Sequence, residues 1–81
     1  MVRATAAPTN GSNVRCTFDA YITHVSKAVW ELVFWQSCSG SILKTVTVEG
    51  NKMVALVEAG VWIQKLASED NYSVLRVDVV K

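Results

Sequence analysis

His24 is the only histidine in the chain, so any Ser-His-Asp arrangement would have to be built from it with Asp19 and Ser26. Acyl transfer needs a nucleophile, a base beside it and a third group that orients the base. The spacing does not supply that order. Asp19 alternates outward, and His24 opens a turn-like segment, His24 to Lys27. A solvated turn histidine accounts for the same residues. Cys16 with His24 as a thiol–imidazole pair fails because Cys16 alternates toward the core, where a thiol is inert. The expectation is a protein that is not an enzyme.

Metal and phosphate chemistry are no better served. One histidine and two separated cysteines cannot furnish the four close ligands of a structural zinc site. Glu49-Gly50-Asn51 is a lone glycine ahead of a helix, not a phosphate-cradling loop, and a helix N-terminus alone is no site. No cofactor is expected. If the first two strands pair around a turn at His24 to Lys27, Cys16 lies opposite Phe34 or Trp35. Cys38 then sits about 10 Å further along, at about 3.4 Å per residue, which is too far for a disulfide. Both thiols are expected to be reduced.

The elements that position these residues follow from periodicity. Residues 1–12, MVRATAAPTNGS, mix small, polar and turn-forming types and read as a flexible N-terminal arm. Residues 13–81 read as a single α+β domain. From Asn13 to Thr23 alternation is strict: Val14, Cys16, Phe18, Ala20 and Ile22 face one way, and Arg15, Thr17, Asp19, Tyr21 and Thr23 the other.

The next segment, 28–38, is open between strand and helix, since Ser26 could cap a helix ending at Gly40. Its Val, Trp and Phe content favours a strand with Trp30, Leu32 and Phe34 inward and Val29, Glu31, Val33 and Trp35 outward. A third strand, Ile42 to Glu49, points Ile42, Val46 and Val48 inward, and Leu43, Thr45, Thr47 and Glu49 outward. Lys44 breaks that pattern and is expected near a sheet edge, where its stem can snorkel.

The stretch Asn51 to Ser68 is the only long helical pattern. Met53, Leu56, Ala59, Gly60, Ile63, Leu66 and Ala67 recur at steps of three and four. Asn51 can cap its start, and Asp70 and Asn71 can close it. Gly60 in mid-helix suggests a backbone that passes close to the sheet or to a neighbour. A last strand, Tyr72 to Val80, turns Leu75, Val77 and Val79 inward and Val74, Arg76 and Asp78 outward. The fold class is α+β in the order β-β-β-α-β, with one helix on one face of a small, mainly antiparallel four-stranded sheet.

Composition bears on partners. With 51% hydrophobic and 19% charged residues, the chain has more apolar surface than one small core hides, which favours a homo-oligomer, a dimer first. Eight Lys or Arg stand against seven Asp or Glu, spread along the chain, so no basic tract marks a phosphate backbone. No apolar run reaches the roughly 18–20 uncharged residues of a membrane span. Arg3 has no apolar block behind it to make a secretory signal, and a cytoplasmic location is expected.

One helix can cover only one face of the sheet, so the outer face must meet solvent or a partner. Alternation gathers Tyr21, Val29, Val33, Trp35, Leu43, Tyr72 and Val74 there with Arg15, Glu31, Arg76 and Asp78. An apolar centre among mixed charges is typical of a protein interface anchored by Trp and Tyr. The expected interface is Tyr21, Val33 and Trp35, extended by Val54, Val57, Val61 and Trp62 on the helix flank. Edge-to-edge sheet pairing is a second route to self-association.

The alternative is a single-stranded nucleic-acid module stacking bases on Tyr21, Trp35 and Tyr72 beside Arg15 and Arg76. It is disfavoured by Asp19, Glu31, Glu49 and Asp78 on the same face. The segment VTVEGNKMVALVEAGVWI resembles the strand-turn-helix of HicB-type antitoxin domains. It covers less than a quarter of the chain and lacks their acidic helix start, so no function is carried over from it.

Overall fold

Residues 1–80 are described by a computed structural model. They form five strands and one helix: β1 (Val2–Pro8), β2 (Cys16–Ser26), β3 (Val29–Gln36), β4 (Ser41–Glu49), α1 (Lys52–Glu69) and β5 (Tyr72–Val79). The sheet runs β4-β3-β2-β1-β5 with every neighbouring pair antiparallel. The α+β class and the β2–β3–β4 meander are as the periodicity implies. The sheet has five strands, not four, because most of the segment read as an arm is β1, placed between β2 and β5.

The reason lies in side-chain size. Val2, Ala4 and Ala6 alternate inward and are fully buried. Facing them, Ala55, Ala59, Ile63 and Ala67 form the buried stripe of α1. Alanine on both surfaces lets the helix lie close over the centre of the sheet. Phe18, Leu32 and Phe34 of β2 and β3 fill the volume on the β2–β3 side, with Tyr72 and Val74 of β5 packed against the core on the other. Alanine has low strand propensity, so a strand chosen for thinness reads as a loop.

The β2–β3 hairpin turns at Lys27 and Ala28, with Ser26 opposite Val29 and a bulge between His24 and Ser26. β3 is therefore a strand, and Trp30, Leu32 and Phe34 face the helix as its alternation implies. This turn lies later than the expected one, so Trp35 pairs with Asp19 rather than Cys16. Val14 precedes β2 and is exposed.

Two further bulges displace side chains. One in β4 breaks the register between Phe34 and Trp35, so that Ile42 pairs with Trp35 on the outer face. Leu43, expected outward, instead lines a hollow on the helix side with Leu66 and Gln36. The other is where β5 meets β1 between Thr5 and Ala6. It puts Tyr72 and Val74 against the core and leaves Leu75 exposed. Lys44 does lie on an edge strand, its ammonium 4.7 Å from the Trp62 ring centroid.

The helix begins as its cap residue implies. Asn51 is extended, and its side-chain oxygen accepts from the Val54 amide at 3.0 Å. Gly50 before it has φ of +140° and donates to the Ala28 carbonyl at 2.7 Å. At the other end Asp70 caps, Asn71 takes φ of +61°, and the Asp70 carboxylate accepts from Gln36 Nε2 at 2.7 Å. Replacing Asn51 with Ala leaves that amide without its partner and should cost about 1 kcal/mol in chemical denaturation. An unchanged midpoint would mean water serves the amide equally well.

Two helix expectations are corrected. Met53 is exposed, and the buried position is Ala55, because the stripe runs at strict four-residue steps from 55 to 67. A Cβ at Gly60 would meet nothing within 4 Å, so no close approach requires that glycine. Gly60→Ala should then stabilise the chain by up to about 1 kcal/mol, through helix propensity alone. A lower urea midpoint would show that something else occupies the space.

Candidate functional site

The outer face of the sheet is crossed by no other element. On it, β3 sets Val33 and Trp35 two residues apart. Across the strands Val33 pairs with Tyr21 and Thr45, and Trp35 pairs with Asp19 and Ile42. Directly opposed residues in antiparallel strands have Cβ atoms about 4.5–5.5 Å apart. Tyr21, Val33, Trp35 and Ile42 are therefore one contiguous apolar patch on three strands, closed at one end by Thr23, Glu31 and Thr47. Ile42 is the member that alternation missed. Its signal was the Ile42-Leu43 doublet, which a bulge splits between the two faces.

Beside the patch lies the buried charge of this face. Asp19 is only 3% exposed, yet no helix covers it. Arg3 of β1 clamps it with Nε to Oδ1 at 2.9 Å and Nη2 to Oδ2 at 3.2 Å. This hydrogen bond, with the carboxylate charge, raises the guanidinium above its ordinary range. Further out, Arg76 Nε approaches Asp78 at 2.9 Å. Arg3 and Arg76 are thus each matched by a carboxylate within the chain.

The residues expected to form one interface lie on two opposite surfaces. Val54, Val57 and Val61 form an exposed ridge along α1, on the far side of the molecule from Tyr21, Val33 and Trp35. Trp62 is half-buried over Phe34, ring centroids 6.5 Å apart, with the Lys44 and Lys65 ammonium groups at 4.7 and 4.9 Å. The nucleic-acid set also divides. Tyr72 packs edge-on against Phe18 on the helix side at 5.5 Å, away from Tyr21 and Trp35, and Arg15 precedes β2 at one end.

The catalytic possibilities fare likewise. His24 stacks on Trp30 at 4.3 Å on the helix side, while Asp19 is held on the outer side. The two are not brought together. His24 and Trp30 line a groove of about 500 Å³ with Met1, Ile22, Lys52, Leu56, Val79 and Val80. Among the described residues no three of His, Cys, Asp and Glu cluster as metal ligands would, and no helix is long and apolar enough to cross a membrane.

Fold and surface together define a class: a small α+β domain whose single helix shields one face of an antiparallel sheet and leaves the other open. No family model, curated protein or solved structure matches the chain.

Proposed function

We propose that this chain is a non-enzymatic interaction protein that pairs with a second copy of itself, outer sheet face to outer sheet face. The observation that carries this reading is the Tyr21, Val33, Trp35 and Ile42 patch on an uncovered face. A two-fold contact brings each residue against its own counterpart's neighbourhood, so a face of one sign would repel itself. Here Arg3 and Arg76 are matched by Asp19 and Asp78, Glu31 and Glu49 add negative charge at one end only, and the centre is apolar.

Size agrees. Five strands about 4.8 Å apart and about eight residues long give a face of roughly 24 × 27 Å, about 650 Å² in plan, so nearly the whole face would be used in approaching the ~800 Å² that each partner brings to a standard interface. Edge pairing is the less favoured route. The free edges belong to β4 and β5, each of which carries a bulge, and Lys44 flanks one of them.

Light scattering across a concentration series, at low and high salt, tests the reading. The expected result is a dimer mass that persists at high salt, since an apolar contact is not screened. A monomer at every concentration overturns it. The nucleic-acid alternative retains Tyr21, Trp35 and Arg76 on the open face, with Arg76 held by Asp78. It predicts tryptophan quenching by single-stranded oligonucleotides that fades as salt rises; fluorescence unchanged at low salt removes it.

A further inference from the structure

Cys16 and Cys38 are brought together by the register of the β2–β3 hairpin. Phe18 pairs with Gln36, and one step further Ser37 donates its amide to the Thr17 carbonyl at 3.0 Å, while the Thr17 amide donates to Ser37 Oγ at 2.9 Å. One backbone bond and one side-chain bond therefore hold Ser37 beside Thr17, just past the last paired residues of β2 and β3. The next residue along the turn, Cys38, comes alongside Cys16 at the start of β2, within the few-ångström range that a disulfide spans.

The chain curls into a turn there, with the Gly40 amide on the Gln36 carbonyl, yet each sulfur reaches the residue next to the other cysteine. Cys38 Sγ lies 3.8 Å from the Arg15 carbonyl oxygen, and Cys16 Sγ lies 3.7 Å from Ser37 Oγ. The separation of about 10 Å expected from an earlier turn does not hold, because the hairpin turns later.

Both thiols are free; Cys16 is buried and Cys38 exposed. Proximity is felt in their chemistry. The neighbouring Cys16 thiol, followed by burial, pushes the Cys38 thiol above its ordinary pKa. The Tyr72 hydroxyl on β5 is itself raised, first by burial and then by the nearby Cys38.

We infer that Cys16 and Cys38 form an oxidisable dithiol, a modification site that closes to an intramolecular disulfide on meeting a low-molecular-weight disulfide. The exposed Cys38 gives up its proton to solvent, and the thiolate fraction so formed, reduced by its raised pKa, attacks one sulfur of the small disulfide. A mixed disulfide forms, and one small thiolate leaves. Cys16 then attacks the Cys38 sulfur, the mixed S–S bond breaks, and the second small thiol departs with the Cys16 proton. Two protein thiols are oxidised and one small disulfide is reduced to two thiols. The bond would tie the start of β2 to the turn that leads into β4.

The folded full-length chain is incubated with glutathione disulfide, quenched by alkylation and weighed intact. The expected product is a monomer lighter by two hydrogens, with Cys16 joined to Cys38 in peptide mapping and restored by dithiothreitol. Cys16→Ala should stop at a glutathione adduct on Cys38, and Cys38→Ser should stay unmodified. Closure in denaturant should be slower on the order of tenfold or more, because the thiols are no longer held together. A wild-type chain that keeps the glutathione adduct, joins a second chain through Cys38, or closes no faster folded than unfolded overturns the inference. The wild-type mass decides even where Cys16→Ala does not fold.

Discussion

Deleting residues 1–8 should leave the chain unfolded. β1 is the only partner of β5 and one of two partners of β2, so its removal strips a hydrogen-bond ladder from each. It also withdraws Val2, Ala4 and Ala6 from beneath the helix. Burial of those three side chains is worth on the order of 5 kcal/mol at about 25 cal/mol per Å². The whole domain, at about 0.05–0.15 kcal/mol per residue, has roughly 4–12 kcal/mol to lose. The ladder bonds come on top of that, and β5 has no second strand to which it can pair.

Far-UV circular dichroism and amide dispersion of the truncated chain read the outcome. Loss of a cooperative transition is expected, with partial recovery when the missing segment is supplied as a peptide. A truncated chain that melts at the same midpoint as the full one would show that these residues are dispensable and that β5 has found another place.

The second large effect is expected at Trp35. Trp35→Lys should turn dimers into monomers. Tryptophans near the centre of an interface commonly contribute 2 kcal/mol or more, about a 30-fold change in dissociation constant. Lysine is chosen because the cross-strand neighbour is Asp19. The new ammonium meets a carboxylate within its own chain, and the fold tolerates it, while two such groups across a two-fold repel.

Trp35 lies on the face away from the helix, so no cavity opens in the core and the monomer should melt within a few degrees of the parent. Val57→Lys, on the exposed ridge of α1, provides the contrast: it should leave the mass of the assembly unchanged. Dimers that survive Trp35→Lys and dissociate with Val57→Lys would move the interface to the helix.

The two predictions concern parts of the chain that differ in how far they can be read from residues alone. Val33 and Trp35 were legible because the period of β3 is unbroken and a tryptophan two residues from a valine on the polar side of a strand stands out. Tyr21 followed from the same alternation in β2. Ile42 was not legible, nor was the inward turn of Tyr72 and Val74, because a bulge adds one residue and reverses every side chain beyond it. The approach of Cys38 to the start of β2 depended on where a hairpin turns. The composition of Val25 to Ala28 permits several positions, and packing chooses one.

What the amino-acid order determined by itself is local: the alternation of β2 and β3, the helix behind its Asn51 cap, its end at Asp70 and Asn71, and the edge position of Lys44. Each depends on contacts within a few residues or on a period that one segment carries alone. Only the tertiary structure decided that a segment of alanines and threonines is the inner strand of the sheet, which registers the bulges select, and which apolar residues remain uncovered. Those outcomes are set by how closely a helix can approach a sheet and by which distant strand supplies the missing hydrogen bonds, and neither quantity belongs to any one stretch of chain.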